Sequence, residues 1–234
     1  MTSYRKAHIV VTGASRGIGA AIVEAFDPDT TVICALSSKD GDLSNPLMPA
    51  LLWQHSIEQL GGKIDVLINN AGIFEDNPLD IADPGWLESW NRTMQVNLTA
   101  SADLCRRAVL HWQNTGTSGR IVNIASRAAH RGDSPAHWHY AASKAGMVAM
   151  TKTIARAYAA QQIYAFSVCP GFTMTGMAAD YLSSRGGDKL LADIPLGKVA
   201  DPEEVAVIAK FCALDAPPSM TGAVLDVNGA SYVR

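Results

Sequence analysis

The chain has 234 residues, 48% of them hydrophobic, and 19 Lys and Arg against 22 Asp and Glu give a formal net charge of -3. That length fills one α/β core and would cramp a second, so a single domain over residues 1–234 is expected. The charge is scattered and nearly balanced, which excludes a polyanion-binding surface; neither nucleic acid nor an anionic membrane is expected as a partner. No apolar run approaches a membrane span, and Met1 to Lys6 is polar and leads straight into an apolar strand without a secretory signal, so a cytoplasmic protein is expected. Cys34, Cys105, Cys169 and Cys212 are far apart, form no CxxC pair and sit in apolar stretches, as reduced core thiols do.

In chain order, Ala7 to Thr12 is an apolar run of strand length, followed by Gly13, Ala14, Ser15, Arg16, Gly17, Ile18 and Gly19 and then by the helical spacing of Ile22, Val23, Ala25 and Phe26. Strand, glycine-rich turn and helix together make a phosphate-binding element. Glycines let the backbone turn tightly and approach a ligand, and the free N–H groups at the positive helix end receive a pyrophosphate. The spacing GxxxGxG differs from the more familiar GxGxxG, so the flanking strand and helix carry the inference; an ordinary glycine-rich turn is the plainer alternative.

Asp27, Pro28 and Asp29 form a turn, and Thr31 to Leu36 is a second strand ending in Ser37, Ser38 and Lys39. A parallel crossover needs about a dozen residues or more, and only a handful separate Leu36 from Asp42, Leu43 and Ser44. The second strand should therefore pass almost directly into that segment, with no helix and at most a vestigial strand between. Asn45 with Pro46 reads as a helix start, Leu47 to Leu60 carry the helix, and Gly61 and Gly62 end it. Ile64 to Ile68 is a buried strand running into Asn69, Asn70, Ala71 and Gly72, at the strand end where open α/β sheets bind ligands. Simple turn chemistry would use the same residues.

Asp83 before Pro84 starts another helix, and Trp86 to Trp112 stays helical apart from a polar interruption at Gln95, Val96 and Asn97. Val96 and Leu98 flank Asn97, which points to a buried, paired side chain. Arg120 to Ala125 is a strand that delivers Ser126, fourteen residues before Tyr140. A hydroxyl there can hold a carbonyl oxygen or merely cap the strand exit. Tyr140 to Ala160 is a long buried helix, and Tyr140 and Lys144, four apart, share one face of it. A phenol with a pKa of about 10 is a poor proton carrier near neutrality; a fixed ammonium nearby favours the phenolate, and the pair becomes a usable acid or base. Alone, so short a motif matches by chance. Ile163 to Val168 is a strand with Cys169, Pro170 and Gly171 as its exit. Phe172 to Lys198, with Met174, Met177, Tyr181, Leu182, Gly186 and Gly187, reads as a substrate lid. Asp201, Pro202, Glu203 and Glu204 open a helix to about Leu214, and Ala223 to Val227 is the last strand.

Thr12 to Gly19 (TGASRGIG), Asn69 to Gly72 (NNAG), Asn97, Ser126, Tyr140 with Lys144 (YAASK) and Pro170 with Gly171, in that order, resemble the short-chain dehydrogenase/reductase family near its 3-oxoacyl-acyl carrier protein reductase type. The likeness runs from Ala7 to Val233. It implies a Rossmann-type doubly wound parallel sheet with helices on both faces, here shortened between the second strand and Asp42, and a tetrad of Asn97, Ser126, Tyr140 and Lys144. The implied reaction is hydride transfer between a nicotinamide cofactor and a carbonyl or secondary alcohol. In it Tyr140 gives or takes the proton on oxygen, Ser126 holds that oxygen, Lys144 lowers the phenol pKa and holds the nicotinamide ribose, and Asn97 positions a water that relays protons to Lys144. The resemblance and the strand ends together place the cofactor against Gly13, Ser15, Arg16, Gly17, Ile18, Gly19, Ser37, Asp42, Leu43, Asn70, Ala71, Gly72, Tyr140, Lys144, Pro170, Gly171, Thr173 and Thr175.

No acid stands among Leu36, Ser37, Ser38 and Lys39, where NAD sites carry one roughly 20 residues after the glycine turn. Two hydroxyls, an ammonium and Arg16 can instead bond a 2'-phosphate. NADP(H) is expected over NAD(H), with Asp40 as the acid that would reverse this if the shortened loop curls back. The resemblance and the apolar helices Leu98–Trp112 and Ala145–Ala160 imply a homotetramer with D2 symmetry. The expected substrate is a small-molecule carbonyl compound or alcohol, medium-sized and partly hydrophobic to suit the apolar lid, by analogy a 3-oxoacyl thioester. No metal is expected: no acid or cysteine completes a ligand set with His130, His137 and His139, which line the pocket or the surface, and hydride transfer needs none. Arg127 is either an anchor for an anionic substrate or, more plainly, an exposed arginine or a structural ion pair. The competing readings are an NAD-dependent alcohol dehydrogenase of the same family and a non-catalytic dinucleotide sensor or scaffold, against which the intact tetrad stands. A sugar-nucleotide epimerase or dehydratase is disfavoured by the glycine spacing and the short chain.

Overall fold

Runs such as Ile9, Val10, Val11 and Ile121, Val122 are apolar at every position because strands of a parallel sheet are buried on both faces. In the computed structural model, which describes residues 6–174 and 191–234, they form one six-stranded parallel sheet. Its strands are β1 Ala7–Thr12, β2 Thr31–Leu36, β3 Val66–Asn69, β4 Gly119–Ile124, β5 Ile163–Pro170 and β6 Val224–Val227, in the order β2-β1-β3-β4-β5-β6. The described helices are α1 Gly17–Ala25, α2 Met48–Gln59, α3 Asp83–Met94, α4 Ala100–Thr115, α5 Ala128–Arg131, α6 Trp138–Tyr158 and α7 Pro202–Lys210.

Strand alternation sorts the core into two layers. Val10, Leu67 and Ile121 meet Leu52, Leu104, Trp112 and Ile154 from α2, α4 and α6. Ile9, Val11, Ile68 and Val122 meet Ile22, Val205 and Ala209 from α1 and α7 on the other face. The sheet is thus doubly wound, as expected. Polar ties fix the first layer: Asn69 Nδ2 donates to Asn123 Oδ1 at 2.9 Å and Asn123 Nδ2 to Thr151 Oγ1 at 2.8 Å, all three residues buried. Asn69 therefore serves the packing of helix on sheet, whereas its neighbour Asn70 faces the strand ends.

Between Leu36 and Met48 the chain makes only turns. The expected shortening is present, and β2 is the sheet edge. Helix α2 starts a few residues later than Asn45, whose Oδ1 accepts the Leu47 N–H at 3.0 Å in a local turn that precedes it. The polar interruption at Gln95 to Asn97 is a π-helical turn, Gln95–Thr99, joining α3 to α4. No described helix is long and apolar enough to cross a membrane. Of the expected lid, Thr175, Met177, Tyr181, Leu182, Gly186 and Gly187 lie outside the described residues.

Candidate active site

β2 and β3 lie on opposite sides of β1, so the crevice beyond the C-terminal ends of β1 and β3 is the switch point at which such sheets bind ligands. Thr12 and Asn70 lock these two ends together. Thr12 Oγ1 accepts the N–H groups of Asn70 and Ala71, each at 3.1 Å, and Asn70 Nδ2 donates to the carbonyls of Thr12 at 3.1 Å and Gly13 at 3.0 Å. The glycines are needed for closeness. A Cβ on Gly13 would lie 2.7 Å from Ala71 Cα, and one on Gly19 would lie 2.0 Å from the Gly13 carbonyl oxygen. Ser15 and Arg16 are exposed at the mouth of the turn, with Gly17 and Ile18 half-buried. The N-cap residue Arg16 makes no side-chain cap bond to the first turn of α1, and among the described residues its N–H groups remain available to an anion.

At the end of β2 the shortened loop does curl back. The Asp40 carboxylate accepts from Ser37 N at 2.8 Å and from Ser37 Oγ at 2.9 Å, bonds that hold its pKa below the usual carboxylate range. Asp42 is held down in the same way by the N–H and hydroxyl of Ser44. Leu43 packs against the α2 and α4 layer, and its carbonyl accepts from Gln95 Nε2 at 3.3 Å.

The four tetrad residues come from three elements. Ser126 stands at the β4 exit, Asn97 in the π turn, and Tyr140 and Lys144 on α6. Lys144 Nζ donates to the Ile124 carbonyl at 2.8 Å and lies 5.9 Å from the centre of the Tyr140 ring. Burial pushes the Lys144 pKa down to about 8. It pushes the Tyr140 phenol up to about 12, with the hydrogen bond to the Ser126 side chain pulling the other way. The phenol thus moves opposite to the direction expected from the Tyr140 and Lys144 spacing, because burial raises it while the ammonium is turned to the Ile124 carbonyl.

Asn97 is fully buried. Its Nδ2 donates to the Ile73 carbonyl at 3.0 Å and to Ser143 Oγ at 3.3 Å, and its Oδ1 accepts the Ile73 N–H at 2.8 Å. Ser143 Oγ in turn donates to the Tyr140 carbonyl at 2.7 Å. A Cβ on Gly72 would sit 3.3 Å from Asn97 Oδ1 and 3.5 Å from Lys144 Nζ, which places Gly72 against both. On the other side, the Pro170 carbonyl accepts the Arg127 N–H at 2.9 Å, Gly171 N donates to Val227 O at 2.9 Å, and buried Thr173 bonds the Gly171 carbonyl at 3.3 Å. The glycine turn, the β3 end, the tetrad and the β5 exit are therefore gathered at one end of the sheet. Ser37, Asp42 and Leu43 lie toward its β2 edge, and Thr175 lies outside the described residues.

Three residues here escape a reading of the sequence. Phe74 meets Tyr140 edge-on at 4.8 Å and stacks on His137 at 3.8 Å. Ser143 and Thr12 are the others; each stands within a quoted motif, YAASK and TGASRGIG, but without a role read from it. His137 also bonds Ser134 Oγ at 2.6 Å and approaches Asp76 at 3.3 Å. His139 is fully buried between Trp90 and His137, with neither ring nitrogen bonded among the described residues. His130 stands apart from both, stacked on Tyr232. Arg127 is largely buried rather than exposed, pairs with Asp193 at 3.3 Å and lies over the Phe172 ring at 4.7 Å, as the ion-pair reading has it.

A doubly wound parallel sheet with a glycine-rich turn at its switch point, and a Ser, Tyr, Lys and Asn cluster beside it, defines the class of dinucleotide-dependent oxidoreductases. Residues 39–230 match the family model described as enoyl-(acyl carrier protein) reductase. The 3-oxoacyl-acyl-carrier-protein reductase of Vibrio cholerae is 34% identical, covering 96% of this chain and 96% of that protein. The acetoacetyl-CoA reductase of Shinella zoogloeoides is 31% identical over 95% of this chain and 97% of its own. Among solved structures, the aldohexose dehydrogenase of Thermoplasma acidophilum superposes with a TM-score of 0.86 at 27% identity, covering 99% and 96% of the two chains. A putative NAD(P)-dependent gluconate 5-dehydrogenase from Beutenbergia cavernae, with NADP bound at low occupancy, gives 0.87 at 29% identity over 98% of each. The chain belongs to the short-chain dehydrogenase/reductase family.

Proposed function

We propose that the protein is an NADP(H)-dependent reductase of carbonyl compounds, with a 3-oxoacyl thioester as the substrate class. The observation that carries the reading is the gathering of Ser126, Tyr140, Lys144 and Asn97 at one end of the sheet, with Asn97 Oδ1 and Lys144 Nζ against Gly72, beside the N-terminus of α1. The residues present fit a dinucleotide: the α1 N-cap residue Arg16 makes no side-chain cap bond, and Gly13 and Gly19 let the turn fold tightly on Ala71, which brings the β1 and β3 ends together at the crevice. The nicotinamide, when bound, supplies or accepts the hydride.

In this reading the chain's own residues handle the proton. Tyr140, with its pKa pushed up to about 12, is protonated at neutral pH and so is a donor to a carbonyl oxygen. The Ser126 hydroxyl, bonded to that phenol, holds the same oxygen. Lys144, bound to the Ile124 carbonyl, supplies positive charge near the phenol and a donor for the nicotinamide ribose, and Asn97 holds the Ile73 backbone and the start of α6 in place. The proposed water relay from Asn97 to Lys144 draws on the nearness of both to Gly72. Gly13 to Gly19, Asn70 to Gly72 and Pro170 to Thr175 would line the cofactor, with Asp42 and Leu43 at its adenine end.

The preference for NADP(H) rests on Arg16, Ser38 and Lys39, exposed donors near the β2 end. Asp40 opposes it, since its carboxylate already holds Ser37. The alternative is an NAD-dependent alcohol dehydrogenase: the Asp40 carboxylate favours NAD, and the sugar and sugar-acid dehydrogenases among the structural neighbours favour an alcohol substrate, although one of them holds NADP. We further propose one domain, a homotetramer built on α4 and α6, and a cytoplasmic location in keeping with four free, buried cysteines. A monomeric mass in sedimentation equilibrium would refute the tetramer. Tyr140→Phe tests the function: turnover of acetoacetyl-CoA should fall by a factor of about a hundred or more while NADPH binding, read by fluorescence, stays near wild type. Retained kcat would sink the assignment; retained binding separates an enzyme from a non-catalytic sensor only if the wild type turns over.

A further inference from the structure

The register of the last two strands sets a second chemical group beside the tetrad. Cys169 on β5 pairs directly with Asp226 on β6, so both side chains leave the same face of the sheet. α5 brings His130 over that face, with Nε2 3.8 Å from the Cys169 sulfur. One donor atom from each of the three lies within 4.8 Å of the others. The His130 ring is held by a parallel stack on Tyr232, 5.5 Å between centroids. Cys169 is fully buried, His130 half-buried and Asp226 exposed, so the group opens to solvent on the carboxylate side.

We propose that His130, Cys169 and Asp226 form a Zn2+ site, with water completing a tetrahedron. A thiolate, an imidazole and a carboxylate select zinc over magnesium or calcium. With Zn–S of about 2.3 Å and Zn–N of about 2.0 Å, tetrahedral ligands stand about 3.5 Å apart, so the His130 and Cys169 pair needs little closure. Asp226 must swing away from Arg234, which bonds its Oδ2 through Nε at 3.1 Å and Nη2 at 2.9 Å. That guanidinium supplies the positive charge a metal would replace. On binding, the Cys169 S–H breaks, the proton leaves to solvent and an S–Zn bond forms. The site adjoins the tetrad, because the Ser126 backbone neighbours the Cys169 sulfur and pulls its pKa down against the rise caused by burial. A metal that draws on this sulfur shifts Ser126, so the occupied site slows turnover. This slowing rests on the reductase reading; the binding does not.

The test titrates Co2+, and then Zn2+, into the reduced, metal-free protein of residues 1–234. One equivalent of Co2+ should raise the ultraviolet charge-transfer band of a thiolate ligand, and Zn2+ should displace it. Cys169→Ser should lose the band, and His130→Ala and Asp226→Asn should weaken Co2+ binding about tenfold or more. Arg234→Ala should strengthen it several-fold by freeing Asp226. Absence of the band, or a band that survives Cys169→Ser, overturns the site. If Cys169→Ser does not fold, unchanged affinity in His130→Ala overturns it equally, because that position is less buried. Chelator-reversible inhibition by Zn2+ is expected with acetoacetyl-CoA and NADPH; binding without inhibition overturns the link to Ser126 alone.

Discussion

Replacing Lys144 with Met should make the protein more stable as it destroys activity. The ammonium is almost wholly buried and its one hydrogen bond among the described residues goes to the Ile124 carbonyl. Its pKa falls from an ordinary 10.5 to about 8, which at about 1.4 kcal/mol per pH unit is a cost of about 3 kcal/mol to the folded state wherever both states are protonated. The unfolded chain holds this proton more tightly, so the cost is present in full below pH 8 and fades as pH rises to 10.5. Methionine matches the stem and removes the charge, but leaves the Ile124 carbonyl without that donor, which costs about 1 kcal/mol. The net expectation at pH 7 is a gain of about 2 kcal/mol, turning into a loss of about 1 kcal/mol above pH 10.5. Urea denaturation of both proteins without cofactor, at one protein concentration and across pH 7 to 10.5, reads the difference directly, because groups common to both cancel. A variant less stable than wild type at pH 7, or a gap that does not move with pH, would refute the argument.

Gly19→Ala should cost about 3 kcal/mol in urea denaturation and abolish NADPH binding, since its Cβ meets the Gly13 carbonyl at 2.0 Å and neither backbone can yield. Thr12→Val strips the acceptor from two N–H groups at a buried position and should lower stability by about 2 kcal/mol, whereas Thr12→Ser should stay within about 1 kcal/mol of wild type. For cofactor choice, the ratio of kcat/KM for NADPH over NADH should fall about tenfold in Arg16→Ala and rise in Asp40→Asn, which removes the carboxylate bonded to Ser37. An unchanged ratio in both variants would show that the β2 end does not read the 2'-phosphate.

Where local pattern and tertiary packing agree, the sequence was legible. β1 and β2 match their expected bounds because each is an apolar run bracketed by turn residues, and the π turn falls where a polar triplet interrupts the apolar spacing of a helix. Short relationships across the chain were not legible. Nothing in Thr12 foretells that its hydroxyl will bind residues 58 and 59 positions away, and nothing in the pair Asn69 and Asn70 tells which one enters the core. The direction of the Tyr140 pKa was misjudged for the same reason: helix spacing gives the distance to Lys144, but the depth of burial, which decides the sign, comes from the loops and strands packed around both. Asp40 shows an intermediate case, since the short loop was evident and the curl depended on which donors the loop exposed.

The π turn at Gln95–Thr99 holds one residue more than a regular helix would need there. Each residue of an α-helix turns its axis by about 100°, so α3 and α4 are out of phase by that amount. Helix α4 presents Ala100, Leu104, Cys105, Ala108 and Trp112 to the core at unbroken spacing, while α3 directs Trp86 and Trp90 toward each other and toward His139. Deleting one residue of the turn would leave the face of α4 as it is and rotate α3 away from α6. The extra residue thus uncouples two surfaces. The wall over His139 can change by substitution in α3 without repacking α4 on the sheet, and Asn97, at the joint, keeps its place in both.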